Sequence, residues 1–221
     1  PERIGRYGRG NSNSRPLDPD GDGVPHEITE GQVTALTMFV AMQELPEVGM
    51  PNNPARVADW TDGQQLFDKI GCAKCHTPSL PLRSTIYTLP SRVRRTVLSI
   101  DLAKHGAERR LSKPATDKNS DYLVYLYSDL KRHIVGPNLR EARPYRGVSA
   151  AKFRTPPLWG IARSRPYLHD AHAPELEVAI LEHSGEAQRS RDTFAALNGS
   201  KRAKLRVFLT SLTRAPRIVS P

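Results

Sequence analysis

Apolar residues in this chain gather in short, well-separated clusters, and four of the clusters carry helical spacing. Val33, Leu36, Phe39, Val40 and Met42 fall around most of a helical projection, between a capping box at Thr29 and Gln32 and a stop at Pro46. That pattern predicts a largely buried helix over 30–45, with Met38 and Met42 in the core. A second capping box, Thr61 with Gln64, predicts a helix that Gly71 closes, with Gly63, Leu66, Phe67 and Ile70 along one face. Leu205, Phe208, Leu209 and Leu212 recur at i, i+3, i+4 and i+7, which predicts an amphipathic helix after Ser200. Pro174 and Gly185 bracket a short helix through Leu176, Ala179 and Ile180. Elsewhere the pattern is irregular. Residues 1–17 read as an arm, 46–58 as a connector, and 77–120 as a polar, basic loop with only a short strand or helix near Val97–Leu102. The run from Tyr122 to His133 is apolar enough to bury one face. The expected fold class is mainly α, with long loops and an N-terminal arm. Its expected parts are an arm with one buried helix (1–58) and a helical domain (59–215).

The two cysteines of the 221 residues stand together in Gly71-Cys72-Ala73-Lys74-Cys75-His76. Cys-x-x-Cys-His is the attachment pattern of c-type haem. The thiols of Cys72 and Cys75 add across the porphyrin vinyl groups, and His76 is delivered beneath the iron as its proximal ligand. A structural zinc site wants four ligands where this cluster supplies three. A thioredoxin-like pair wants a preceding strand and a βαβ context, which the chain does not offer. A plain disulfide is the remaining alternative. Composition favours haem, because 38% hydrophobic and 6% aromatic residues with 19 prolines describe a loop-rich chain whose core needs a filler beyond side chains. Covalent haem is assembled outside the cytoplasm, so a periplasmic or exported protein is expected. No apolar run approaches the roughly 18 residues that span a bilayer. Pro1-Glu2-Arg3-Ile4-Gly5 is no signal peptide, and the chain reads as mature or cut from something longer.

The net charge of +10, from 33 Lys and Arg against 23 Asp and Glu, suits an acidic redox partner. The basic residues are spread along the chain without interleaved aromatics, which argues against nucleic acid. One stretch has the opposite sign. Asp18, Asp20 and Asp22 alternate ahead of Gly23 and Val24, as in the front half of a calcium loop. The twelfth position is Thr29 instead of glutamate, with Glu27 and Glu30 on either side, so a non-standard Ca2+ site is expected from Asp18, Asp20, Asp22, Val24, Glu27 and Glu30. A solvated acidic turn is the plain alternative.

Taken together, Asp22–Phe39, Gly63–Pro78, Ser128–His133, Arg154–Gly160, Pro166–Asp170 and Glu175–Ala187 resemble the bacterial di-haem cytochrome c peroxidase and MauG-like superfamily. The branch most similar is the di-haem oxidoreductase, or putative thiol oxidoreductase, branch. The resemblance implies a cytochrome c-like helical domain around covalent haem, in which the helix bearing Gly63 and Phe67 crosses the C-terminal helix. The family carries two haems in two related domains. Only one attachment motif is present here, and Ile4–Arg9 looks like a segment that follows the first haem, so the chain is expected to be a C-terminal haem half. Where the family has its methionine two residues beyond His133, this chain has Val135, which cannot ligate iron. The distal ligand is then His133, another side chain such as Met50, or none. The resemblance puts His169 beside the haem, as a residue that orients a propionate or holds its loop. Arg154 and Arg165 are read as propionate partners and Trp159 as packing on the porphyrin. The implied function is electron transfer through one haem, with a peroxidase-like open site or a structural redox subunit docking through a basic loop at 83–118 as alternatives.

Overall fold

The computed structural model describes residues 28–41, 43, 45–90, 97–101, 116, 119, 122–144 and 147–214. In chain order the described elements are α1 (Glu30–Ala41), β1 (Pro46–Val48), α2 (Pro54–Lys69), a 3-10 turn (Cys72–Lys74), β2 (Leu80–Leu82), β3 (Ile86–Pro90) and β4 (Val97–Asp101). They continue with β5 (Tyr122–Val124), β6 (Arg132–Ile134), β7 (Lys152–Arg154), a 3-10 turn (Ile161–Arg163), α3 (Leu176–Leu181), a 3-10 turn (Gly185–Ala187), α4 (Gln188–Ala195), α5 (Gly199–Thr210) and β8 (Leu212–Arg214). The expected mainly-α class does not hold. Among the described residues, eight strands form four two-stranded antiparallel ladders, β1–β8, β2–β5, β3–β4 and β6–β7. Six of the strands are three residues long, too short for polar and apolar alternation to emerge from the sequence.

The chain divides into two compact units. The first takes 1–44 and 84–111. In it the capping box forms as the sequence predicts, the Gln32 N–H donating to Thr29 Oγ1 (3.2 Å) and the Thr29 N–H to Gln32 Oε1 (2.9 Å). The helix is not buried, however. None of its residues is, and Leu36, Phe39 and Val40 are 60%, 61% and 68% exposed. Apolar spacing says which residues could be covered, and α1 shows that it does not say whether they are. The β3–β4 hairpin occupies part of the stretch expected to be loop.

The second unit, 45–83 and 112–221, holds the core. Here α2 begins seven residues before the predicted capping box at Thr61. Asn53 is the N-cap, its Oδ1 accepting from the Ala55 N–H (2.9 Å), and Pro54 takes the first helical position. Thr61 lies mid-helix and donates instead to the Val57 carbonyl (2.9 Å). Helix α2 crosses α5 at Gly63, where a Cβ would collide with the Lys204 carbonyl oxygen and come within 2.9 Å of Phe208 Cβ. Trp60, Phe67, Tyr127 and Phe208 cluster around the crossing in edge-to-face and tilted pairs, with ring centroids 5.4–5.8 Å apart. Phe67, Leu205 and Phe208 are essentially inaccessible, and burying each stabilises the fold by roughly 1.5–3 kcal/mol. Trp60 Nε1 donates to Ser211 Oγ (2.7 Å), and the β1–β8 ladder ties the end of α5 to the approach of α2.

Candidate functional site

Directly after α2, Gly71 takes a left-handed conformation (φ 94°) that turns the chain sharply. A side chain there would also meet Ser190 Oγ at 2.9 Å. The next residues form the 3-10 turn, in which the Cys72 carbonyl accepts from the N–H of Cys75 (3.3 Å) and of His76 (2.9 Å). This turn compacts the attachment motif. Residues 127–129 run alongside it: the Asp129 N–H donates to the Cys75 carbonyl (2.8 Å), the Ser128 N–H to Thr77 (2.9 Å) and the Tyr127 N–H to Pro78 (3.2 Å). Tyr127 itself is left-handed (φ 52°), a costly state for a bulky residue. In that state its carbonyl lies 3.0 Å from His76 Nδ1. A carbonyl can only accept, so Nδ1 carries the proton, and Nε2 keeps a lone pair with no partner among the described residues. Burial holds the His76 imidazole down to about 4, hence neutral near pH 7.

The cysteines do not look like a redox pair. Both are free thiols. Burial pushes Cys72 up to about 12, and burial with the nearby Asp129 charge raises Cys75, whereas thiol–disulfide chemistry depends on lowered values. Nor, among the described residues, do any three or more His, Cys, Asp or Glu side chains group to hold a metal ion. Two protonated thiols and one neutral imidazole with a bare Nε2 match what covalent haem asks of this pentapeptide.

His133, on β6, is engaged otherwise. Its Nε2 is 2.8 Å from Asp129 Oδ2 and its Nδ1 is 2.8 Å from Glu186 Oε2. Hydrogen bonds to Glu186 and Asp129 raise it above the usual imidazole range. With both nitrogens turned to carboxylates, His133 has no lone pair to spare in this arrangement. Met50 is 59% exposed. Across the β6–β7 ladder His133 stands opposite Phe153, whose ring packs on His169 (centroids 4.6 Å, 37°). His169 Nε2 also lies 3.3 Å from Glu141 Oε1. His169 is thus held at the far side of the same ladder. Arg154 ends β7 as an exposed side chain, Arg165 is paired with Glu175 (2.7 Å), and Trp159 is 37% exposed. Asp18, Asp20, Asp22, Val24 and Glu27 lie outside the described residues, and Glu30 occupies the first turn of α1.

His183 is one of four histidines, with His26, His105 and His172, to which the sequence assigns no role. It follows α3, and its Nδ1 donates to the Ala179 carbonyl one turn back (2.7 Å). Its Nε2 is bare among the described residues, and burial lowers its proton affinity. His183 also lies close enough to His76 for its charge to oppose protonation there. The available sequence signal was a histidine just beyond a short amphipathic helix, four residues past a carbonyl it can donate to. The model of a family described as di-haem oxidoreductase, putative peroxidase, matches residues 108–212, which include His133, Arg154, Trp159, His169 and His183. A comparison with curated proteins gives no match.

Proposed function

We propose, from the premise that residues 108–212 of this chain belong to the di-haem oxidoreductase family, that it is a c-type cytochrome domain carrying electrons through one covalent haem. Haem binding and a peroxidase-like oxidoreductase role come with the family. The finer reading rests on one observation: His76 and His183 each have Nδ1 tied to a backbone carbonyl and Nε2 free among the described residues. In this reading each thiol of Cys72 and Cys75 adds its S–H across one vinyl group, forming a thioether with no other product. His76 and His183 would hold the iron from their Nε2 atoms, while the Tyr127 and Ala179 carbonyls fix the tautomers. When bound, the haem supplies a one-electron iron couple. Two imidazole nitrogens offered to the iron would exclude small ligands such as peroxide and would favour electron transfer. Assembly outside the cytoplasm follows from covalent attachment and is part of the same proposal.

The test has two arms. Acid–acetone should leave the pigment on the polypeptide, with a mass one haem above that of the bare chain. Reduced holoprotein mixed with peroxide should be oxidised no faster than other six-coordinate cytochromes. Pigment in the solvent refutes attachment, and rapid peroxide turnover refutes the carrier.

A further inference from the structure

The chain on either side of His183 is strapped to the segment that follows His133. The Ser184 N–H and Oγ both donate to the Val135 carbonyl (3.0 and 3.1 Å). Asn138 Nδ2 donates to Glu182 Oε2 (3.1 Å) and the Ile134 N–H to Glu186 Oε1 (2.8 Å). Gly185, at φ 57°, lies so close to Ile134 that a Cβ would collide with its carbonyl oxygen. Residues 182, 184, 185 and 186 are therefore all seated on 134–138, and His183 is carried between them.

Among the described residues, the side chain through which this strap reaches the haem motif is His133. Asp129 is fixed to the attachment turn by its N–H on the Cys75 carbonyl (2.8 Å), and its carboxylate meets His133 Nε2. On the other side, His133 Nδ1 meets Glu186 Oε2, while Glu186 Oε1 is already held by Ile134. A neutral imidazole donates from one nitrogen only, so two carboxylates at 2.8 Å call for the imidazolium with both N–H groups. The path from Cys75 through Asp129, His133 and Glu186 to His183 has no unconstrained link.

We propose that His133 is the positioning residue that holds His183 at the iron, bridging the haem-attachment turn and the ligand-bearing segment through Asp129 and Glu186. The proposal rests on His183 being the second axial ligand, and it deepens that reading. Loosening the bridge leaves His183 in place but lets it leave the iron more often. An added ligand then binds more tightly in proportion to the open fraction.

The experiment titrates oxidised holoprotein with free imidazole and records spin state and reduction potential for the natural chain, H133Q, E186Q and H183A. The amide introduced by H133Q retains a donor on one side of the bridge only. The amide introduced by E186Q keeps an acceptor for the Ile134 N–H without the charge. H183A should turn high-spin. H133Q and E186Q should bind imidazole about tenfold more tightly than the natural chain, with mixed-spin bands. If H183A turns high-spin while both bridge variants bind imidazole within about twofold of the natural chain, His133 is only structural and the positioning proposal is overturned. If H183A stays low-spin, the axial assignment of His183 fails and the proposal with it. E186Q alone decides the matter should H133Q fail to fold.

Discussion

His133 and His183 both lie within electrostatic reach of His76, and the partners of each histidine set its chemistry. Carbonyl oxygens at Nδ1 leave His76 and His183 neutral with a usable lone pair, whereas two carboxylates make His133 a cation. The cation has a pH signature. His133 is raised above its ordinary 6.5, so its stabilisation is complete below that value and is lost as pH rises through the higher folded value. For Asp129, burial works upward, but hydrogen bonds from His133, Lys131 and Thr155 outweigh it and the net shift is down from 3.8. Glu186 is lowered from 4.5 by the Ile134 N–H and by His133. Carboxylate stabilisation is present above those ordinary values and is lost as pH falls through the lower folded ones. The bridge is therefore strongest between about pH 4.5 and 6.5. Thermal unfolding of the natural chain and H133Q should differ most near about pH 5.5, and the difference should shrink as pH rises through the raised His133 value. A difference that stays constant with pH would mean that the ion pairs contribute nothing.

At the scale of elements, the crossing of α2 and α5 sets the start of the attachment motif, because α2 runs directly into Gly71. Gly63→Ala places a methyl where the Lys204 carbonyl and Phe208 Cβ already are. Neither helix can retreat without opening the Trp60, Phe67 and Phe208 cluster, so the variant should lose about 1–3 kcal/mol or more, read as a lowered denaturant midpoint. An unchanged midpoint would show that the helices can slide apart at no cost. The two helices were legible beforehand, since Gly63, Phe67, Leu205 and Phe208 follow helical spacing, as was the Cys-x-x-Cys-His pentapeptide, a signal written in five consecutive residues. That the helices cross was implied only by the family resemblance. The start of α2 was misread because Thr61 and Gln64 imitate a capping box, while Asn53-Pro54 carries the cap that forms. The short ladders were invisible because three-residue strands are stabilised by their neighbours and not by their own pattern. The carboxylate bridge was hidden for a related reason: His133 and Glu186 stand 53 residues apart, and a spacing of that kind has no local trace. His183 was missed because a lone histidine near a helix end looks the same whether it binds metal or a backbone carbonyl.

Over the whole molecule, the excess of basic residues decides how a carrier of this kind would find its partner. Among the described residues no helix is long and apolar enough to cross a membrane. A charge of +10 raises the encounter rate with acidic proteins and lowers it with basic ones, through a field that salt cuts off. The screening length falls from about 30 Å at 0.01 M to about 8 Å at 0.15 M, the second being less than the radius of either protein. Steering should then survive at the lower strength and largely vanish at the higher. Electron exchange between reduced holoprotein and a small acidic cytochrome, followed by stopped flow, should slow at least about tenfold across that range. Exchange with a basic cytochrome of similar potential should instead speed up, as repulsion is screened. That opposite slope separates steering from a general effect of salt on the haem couple, which would shift both reactions in the same direction. Two flat profiles would mean that the charge is spread too evenly for any partner to sense, and the acidic-partner assignment would fall while the haem ligation stood.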